Sequence, residues 1–333
     1  MKRRDFLKLS TAGLTSAATA SIGLLSWTPR AYAQTISKTL YITEDYIAMP
    51  DGTDVYFKGF SSSASKLNVP GESLIVQEGD SVVVTIINTL TTNHSFVIDG
   101  IVDSGVIDGG QTVKVTFTAN SVGTHMYYDK LNAPYNRLVG LHGCLAVMPN
   151  GSTNELFNGS PTFVQQYAWV TNDIDPVWHE QISRGQIPSS TFNPYYFTIN
   201  GRTMRVPGHP EYGNPDIDSG YNPETRLEGS IGDRTLVRIL NAGMCMHSVH
   251  FHANHVEWLA QNNQARSSIW KKDTLLLRNN KGSLDVVYPF EVPPDSWPQV
   301  TKGHFPMHFH DEMTQTAGGG LYQFGLATTI AFK

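Results

Sequence analysis

Histidine is the residue type whose spacing in this chain most clearly points to chemistry. Seven of the twelve histidines lie in two short windows, in which His250 and His252 are two residues apart and so are His308 and His310. Side chains two positions apart on a β-strand share one face, so two such pairs can bring four imidazoles into a small volume. Neutral imidazole binds copper, zinc, iron and nickel. The spacing therefore predicts a metal site, and the alternative is a set of exposed or hydrogen-bonded histidines without a metal.

The segments of the chain are typical of strands rather than helices. Alternating or β-branched runs at 81–87, 112–117 and 235–240 are bounded by Gly, Asn, Asp or Pro, as in sandwiches and barrels. No segment after the first 33 residues keeps an apolar period of 3.6 residues. We therefore expect an all-β fold, in which the Pro-, Gly- and Asn-rich stretch 173–223 forms long loops around one short strand at 195–201.

An internal repeat divides the chain. Glu78–Asn88 aligns without a gap with Ile231–Asn241, 153 residues later, and the same offset places His94 on His247. Each copy has a Gly-Asp turn, a strand pattern and a closing Asn. A repeat of this length predicts two homologous β-domains, since about 150 residues is an ordinary domain size. The predicted domains are 34–152 and 153–333.

The first 33 residues resemble a twin-arginine export signal of bacteria. A pair of arginines precedes a weakly apolar stretch at 14–25, and Ala31 and Ala33 supply small residues before a cleavage point. The apolar stretch is too short and too broken by Ser, Thr and Gly to span a membrane stably. The pattern predicts a signal peptide at 1–33 and a protein that the twin-arginine machinery exports to the periplasm. An N-terminal amphipathic helix or anchor is the alternative.

Composition excludes other classes of protein. Lys and Arg number 24 against 29 Asp and Glu, for a net charge of −5, so no basic surface for nucleic acid is expected. A charged fraction of 16% with abundant Gly and Pro is typical of β-rich exported proteins. Two cysteines, Cys144 and Cys245, cannot build a disulfide framework, and the sequence leaves open whether they pair with each other.

Together, these motifs resemble those of the multicopper oxidase family. Gly123–Tyr128 and Gly140–Val147 look like the frame of the family's first domain, and the motifs H-x-x-H-x-H from residue 247 and H-x-H from residue 308 look like the copper motifs of its last domain. The resemblance implies two tandem cupredoxin-like Greek-key β-sandwich domains that bind copper. It also implies a small-molecule reductant, and O2 is among the acceptors that it suggests. The two-domain length is similar to small laccases and copper nitrite reductases, which implies a homotrimer with copper between domains of neighbouring subunits.

The resemblance also assigns roles to individual residues. In the family pattern, the three histidines of the first motif serve type 1, type 2 and type 3 copper in turn. Here these are His247, His250 and His252. His308 and His310 match two type 3 ligands, but Phe309 stands where the type 1 cysteine is expected. Since a blue copper site needs a thiolate in its trigonal plane, no type 1 copper is expected.

The first domain retains fewer candidate ligands. His94 is the only histidine of its first ligand loop, and His125 and His142 are offset from the family's positions, so a core or loop role is their alternative. Aligned as in nitrite reductases, Asp129 takes the place of the type 1 cysteine. Asp129 or Asp311 is a candidate proton relay for oxygen reduction, and a solvated loop acid is the alternative for both.

The predicted function is a copper oxidoreductase with an all-histidine site of type 2 or type 3 character. A non-catalytic cupredoxin-like copper carrier or scaffold is the alternative, and imidazole also leaves zinc or manganese open. The predicted metal ligands are His94, His247, His250, His252, His308 and His310, with His125 and His142 as further candidates.

Overall fold

A computed structural model describes residues 23–151, 154–204, 223–294, 299, 301–322 and 324–333. Strands dominate this part of the chain, which confirms the predicted all-β fold class. The paired arginines of the predicted leader and the predicted junction after residue 152 lie outside the described residues.

The first half of the chain contains ten strands and one short helix within the described residues. They are β1 (Leu24–Leu25), β2 (Thr35–Ala48), β3 (Asp54–Ser61), β4 (Gly71–Gln77), β5 (Ser81–Asn88), β6 (Val97–Ile98), β7 (Val102–Asp103), β8 (Thr112–Thr118), β9 (Gly123–Tyr128), α1 (Tyr135–Leu138) and β10 (His142–Met148).

The second half adds further strands, one helix and two 3-10 turns, at Pro223–Thr225 and Glu312–Gln315. The strands and the helix are β11 (Gln165–Ile174), α2 (Pro176–Ser183), β12 (Tyr196–Ile199), β13 (Leu227–Gly229), β14 (Thr235–Asn241), β15 (His247–Phe251), β16 (Val256–Gln261), β17 (Gln264–Lys272), β18 (Thr274–Leu277), β19 (Ser283–Tyr288), β20 (Gly303–Phe309), β21 (Thr316–Ala317), β22 (Leu321–Tyr322) and β23 (Ala327–Phe332).

Two sheets enclose the core of the first half. One has the strand order β3-β2-β5-β8 and the other β4-β10-β9-β6-β7. Successive side chains of β5 alternate between half-buried and buried, because a strand with one face on the core exposes every second residue. Between the sheets, the rings of Phe60, Phe96 and Tyr127 pack with centroids 5.2 to 5.6 Å apart.

The second half has the same construction. A seven-stranded sheet runs β1-β11-β14-β19-β16-β17, with β12 paired to β11, and a five-stranded sheet runs β13-β23-β20-β15-β18. Their shared core contains the stacked pair Trp169 and Phe251, whose ring centroids are 6.2 Å apart. The two strands that carry the H-x-H motifs, β15 and β20, are neighbours in the five-stranded sheet.

The Gly-Asp turn of the sequence repeat has the same geometry in both halves. Gly79 has φ +88° and Gly232 has φ +92°, in the left-handed region that favours glycine. Each following aspartate, Asp80 or Asp233, accepts a hydrogen bond at Oδ2 from the backbone N–H three residues earlier, at 2.7 Å in both turns. Strands β5 and β14, which follow the turns, are therefore equivalent in the two halves.

Helix α2 lies in the segment that the composition predicts as loops, so that expectation is wrong here. Asp175 caps the helix, because its Oδ1 accepts from the backbone N–H of Val177 at 2.9 Å and of Trp178 at 3.2 Å. The helix is eight residues long, too short to give a sustained apolar period. No helix in the described ranges is long and apolar enough to cross a membrane.

A buried polar network joins the two halves. The guanidinium of Arg238, on β14, is fully buried and donates to Gln166 Oε1 at 2.9 Å and to Thr124 Oγ1 at 2.8 Å. Thr124 belongs to β9 of the first half, and its hydroxyl donates to the buried carboxylate of Asp285 on β19. Burial raises the pKa of Asp285 to about 6, although Arg238 opposes this shift. Removing one partner would leave a buried polar group unsatisfied, so the network fixes how the halves pack.

Two histidines outside the H-x-H motifs are buried in the neutral form. His142 Nδ1 donates to the carbonyl of Arg137 at 2.7 Å, and His179 Nδ1 donates to the carbonyl of Tyr56 at 2.7 Å. Burial lowers the pKa of each to about 4. As the pH falls, each of these histidines binds a proton in the unfolded chain before it does so in the folded chain. The folded state therefore becomes less stable relative to the unfolded state.

We expect acid to destabilise the protein through these two residues. Between pH 6.5, near the ordinary histidine value, and pH 4, the unfolded chain binds a proton that the folded chain does not, so the free energy of unfolding falls by about 1.4 kcal/mol per pH unit for each histidine. His142→Asn keeps a donor for the Arg137 carbonyl and should reduce this slope by one proton in urea unfolding at a series of pH values. Above pH 7 the difference in stability between the variant and the wild type should be constant. An unchanged slope in the variant would contradict the assignment.

Candidate metal centre

The pairing of β15 with β20 positions the H-x-H motifs. The strands are antiparallel, with His250 directly opposite His308 and Val249 opposite Phe309. Val249 and Phe309 are fully buried in the core. Because side chains alternate along each strand, His250 and His308 take the other face of the sheet, side by side.

The structure brings His250, His252, His308 and His310 together. The ring centroid of His250 lies 4.5 Å from that of His252, 5.2 Å from that of His308 and 4.4 Å from that of His310. His252 Nε2 and His308 Nε2 are 3.0 Å apart. One ring nitrogen from each of His250, His308 and His310 lies within 4.8 Å of the others. Since an imidazole nitrogen binds a first-row metal at about 2 Å, a small inward shift would let these nitrogens share an ion.

Hydrogen bonds orient the central ring of the cluster. His250 Nδ1 lies 2.9 Å from the hydroxyl of Thr274, on the neighbouring strand β18, and 3.9 Å from the carboxylate of Asp273. With Nδ1 engaged there, Nε2 is the nitrogen left for a metal. A partner on the second ring nitrogen fixes the tautomer and the ring orientation of a ligand.

Three histidines of the cluster are held neutral. Burial and the neighbouring imidazoles lower the pKa of His250 and lower that of His252 to about 4. Burial, with a further contribution from His310, lowers the pKa of His308. A neutral imidazole keeps its lone pair, so the cluster suits a metal ion at neutral pH.

A cleft of about 470 Å³ opens beside the cluster. His250 and His252 line this cleft together with the apolar residues Phe305 and Pro293 and the carboxylate of Asp273. The cleft is large enough for a small organic molecule that would approach the imidazoles directly.

His247 lies on the opposite face of β15, towards the core. Its Nε2 is 3.1 Å from Asp173 Oδ1, and both side chains are completely buried. The ring packs edge-on against Phe309, at 5.4 Å between centroids. Cys245 is close by, but burial and Asp173 raise the pKa of its thiol to about 12, so it stays protonated. Neither Cys144 nor Cys245 forms a disulfide.

His94 occupies a buried network in the first half of the chain. Its Nδ1 lies 2.7 Å from Asp129 Oδ2 and its Nε2 2.9 Å from Thr92 Oγ1, so both ring nitrogens are engaged. Asp129 also accepts hydrogen bonds from Ser95 and Asn136, at 2.6 and 2.8 Å. The predicted ligand and the predicted proton relay are thus partners of each other.

The remaining predicted site residues lie at separate places. His125 Nε2 donates to the carbonyl of Ser121 at 2.8 Å, and its Nδ1 lies 3.2 Å from Asn263 Nδ2. His142 is buried, and its Nδ1 donates to the carbonyl of Arg137. Asp311 is exposed next to His310 in the chain, and its carboxylate accepts from the backbone N–H of Ser248 at 3.0 Å.

The hydrogen-bond partners of these histidines lie far from them in the sequence. Asp173 lies 74 residues from His247, and Thr274 lies 24 residues from His250. No short motif links these residues. Only the order of strands β11 and β18 in their sheets brings them to the histidines.

Comparisons with known proteins show sequence similarity over part of the chain. Residues 62–152 match the family model of multicopper oxidases. A copper-containing nitrite reductase of Alcaligenes xylosoxydans xylosoxydans is 25% identical over 138 residues, which cover 38% of this chain and 40% of that protein. The chain thus matches less than half the length of this relative.

Two solved structures share the fold over most of the chain. A blue copper oxidase from Nitrosomonas europaea has a TM-score of 0.68 and 21% identity, covering 90% of this chain and 86% of that one. A copper nitrite reductase from Nitrosomonas europaea has a TM-score of 0.65 and 19% identity, covering 90% of this chain and 94% of that one. These likenesses confirm the cupredoxin-like fold predicted from the sequence.

We expect the Thr274 hydroxyl to support metal binding. Thr274→Val removes the partner of His250 Nδ1 while keeping the shape of the side chain, and loss of such a partner weakens metal affinity by about 10- to 100-fold. Copper affinity, measured by competition with a chelator, should fall by that factor. Thr274→Ser keeps the hydroxyl and serves as the matched control. Equal affinities for the two variants would show that the hydroxyl has no part in the site.

Proposed function

We propose that the chain is a copper-dependent oxidoreductase of the multicopper oxidase family, whose model matches residues 62–152, and that it works from an all-histidine site. The observation that carries the proposal is the convergence of four imidazoles on one face of β15 and β20. These donors fit copper, since neutral imidazole is a ligand type that copper favours.

Four residues would hold the copper: His250, His252, His308 and His310. Their number suits either one type 2 ion or a pair of ions. Bound copper would supply one-electron redox chemistry at the imidazoles that line the cleft. The reductant would meet the site directly, because the cleft leads to His250 and His252.

We propose that the chain has no blue copper. The phenyl ring of Phe309 lies against His247, where a type 1 site needs a thiolate. His247 instead pairs with the buried carboxylate of Asp173. Of the predicted ligands, His247 then serves the core, and so does His94 with Asp129.

Asp311 is the better placed of the two predicted proton relays. Its exposed carboxylate is held by the backbone of β15 and can exchange protons with water. Asp129 is fully buried and saturated with hydrogen bonds, which suits it to orient His94.

In this proposal, the protein acts in the bacterial periplasm. The leader over residues 1–33 would direct the folded chain to the twin-arginine machinery, and cleavage after Ala33 would release a chain that begins at Gln34. The exposure of His310 supports a homotrimer in which a neighbouring subunit covers the cluster. The reductant would be a small molecule and the acceptor O2.

A copper carrier is the second candidate, and the same exposure favours it. His250 and His308 are half-buried and His310 is exposed, so an ion could be exchanged with a partner at the surface. A carrier would bind copper but show no turnover with any reductant and O2.

We expect protein purified with copper to contain the metal and to show type 2 electron paramagnetic resonance signals without an intense blue thiolate absorption. His308→Ala should lose the copper signal and the oxidase turnover, because it removes one of the clustered donors. His304→Ala, on the same strand four residues earlier, is the matched control and should keep both. Purified protein without copper, or an intense blue band, would overturn the proposal, and copper without turnover would select the carrier.

A further inference from the structure

The carboxylate of Asp80 has partners on the N-terminal side of β2 that a turn residue does not need. It is fully buried. Its Oδ1 accepts from the backbone N–H of Gln34 at 2.7 Å, and its Oδ2 accepts from the guanidinium of Arg30 at 2.5 Å. Oδ2 also accepts the turn hydrogen bond from the backbone N–H of Gln77, at 2.7 Å.

Comparison with the second copy of the repeat shows which contacts of Asp80 belong to the turn and which are additional. In the second half, Asp233 accepts the equivalent turn hydrogen bond, from Ser230, at the same distance of 2.7 Å. Asp233 is half-buried, whereas Asp80 is completely buried. The contacts that Asp80 has in addition, to Arg30 and Gln34, lie on the two sides of the predicted cleavage point between Ala33 and Gln34.

We propose that Asp80 is a binding site for the N-terminal ammonium group that forms when the leader is cleaved after Ala33. The inference rests on the export step proposed above. A peptidase of the hydrolase class would add water across the Ala33–Gln34 bond. The oxygen of water stays on Ala33 as a carboxylate of the leader, and the nitrogen of Gln34 takes a proton to become an ammonium group.

Cleavage exchanges one cation on Asp80 for another. It removes Arg30, which is the cation paired with the carboxylate in the uncleaved chain. The same cut places a positive charge on the Gln34 nitrogen, which already lies 2.7 Å from Oδ1. A hydrogen bond from a neutral N–H to the carboxylate thereby becomes a salt bridge between two charged groups.

The ammonium group would fix the start of the central strand β2. Thr35, the next residue, opens the parallel pairing of β2 with β5, opposite Ser81. The backbone N–H of Ser81 donates to the carbonyl of Gln34 at 2.9 Å. Chain termini fray unless they are tied down, so a salt bridge at Gln34 protects the pairing that follows.

The first test is the reactivity of the new N-terminus. A free N-terminal glutamine cyclises to pyroglutamate by attack of its neutral amine on its own side chain, with loss of ammonia. We expect the exported wild-type protein to begin at an intact Gln34 and to cyclise at least tenfold more slowly than Asp80→Asn, as followed by mass spectrometry of the N-terminal peptide. Asp233→Asn is the matched control and should cyclise as slowly as the wild type.

The second test is stability. In the exported protein, Asp80→Asn should lower the midpoint of urea unfolding by more than Asp233→Asn, because it loses a salt bridge as well as a turn hydrogen bond. An alanine inserted between Ala33 and Gln34 moves the ammonium group by one residue. This insertion should lower the midpoint of urea unfolding of the wild type but not that of Asp80→Asn. If Asp80→Asn does not fold, the effect of the insertion on the wild type still tests the inference.

The outcomes distinguish the two proposals. A first residue other than Gln34 overturns the proposed cleavage site and the inference together. Intact Gln34 with equal cyclisation rates in the wild type and Asp80→Asn overturns the inference alone. So does a native terminus that is already pyroglutamate, because that group carries no charge.

Discussion

The antiparallel pairing of β15 with β20 is the constraint on which the candidate centre depends. His250 is held opposite His308, and Val249 opposite Phe309. The period of two residues makes one face of this strand pair a hydrophobic core and the other a row of imidazoles. A slip of one residue would bury the row and expose the core, so the energy that fixes the core also fixes the metal-binding face.

In each half of the chain, one histidine is buried beside an aspartate. His94 and His247 are equivalent in the repeat, and both lie in the interior beside a carboxylate, Asp129 or Asp173. The acceptors come from different places, since Asp129 follows β9 and Asp173 lies within β11. A buried imidazole needs a hydrogen-bond partner, but any strand that passes close enough can supply one. The repeat therefore preserves the histidine without preserving its acceptor.

A network of buried hydrogen bonds also connects the two halves of the chain. Arg238 is completely buried, and its fork of donors reaches Gln166 on one strand and Thr124 on another. Thr124 relays the contact to Asp285, so strands β9, β11, β14 and β19 share one polar network. Such a network specifies one packing of the halves, because any other would leave a buried charge without a partner.

The all-β class, the repeat and the spacing of the histidine pairs are all evident in the amino-acid sequence. These are local or periodic properties, such as alternation in 81–87, the Gly-Asp turns at Gly79 and Gly232, and the two-residue spacing of His308 and His310. The short helix α2 is not predicted from the sequence, because eight residues are too few to show the apolar periodicity of a helix.

Which histidines meet depends on the order of the strands in the sheets. His250 and His308 converge because β15 and β20 are neighbours, a fact of strand order that no local pattern encodes. His94, an equally plausible ligand in the sequence, has both ring nitrogens engaged by Asp129 and Thr92. A residue type and its spacing state what a side chain can do, but its chemistry is set by the partners that distant strands bring within hydrogen-bonding distance.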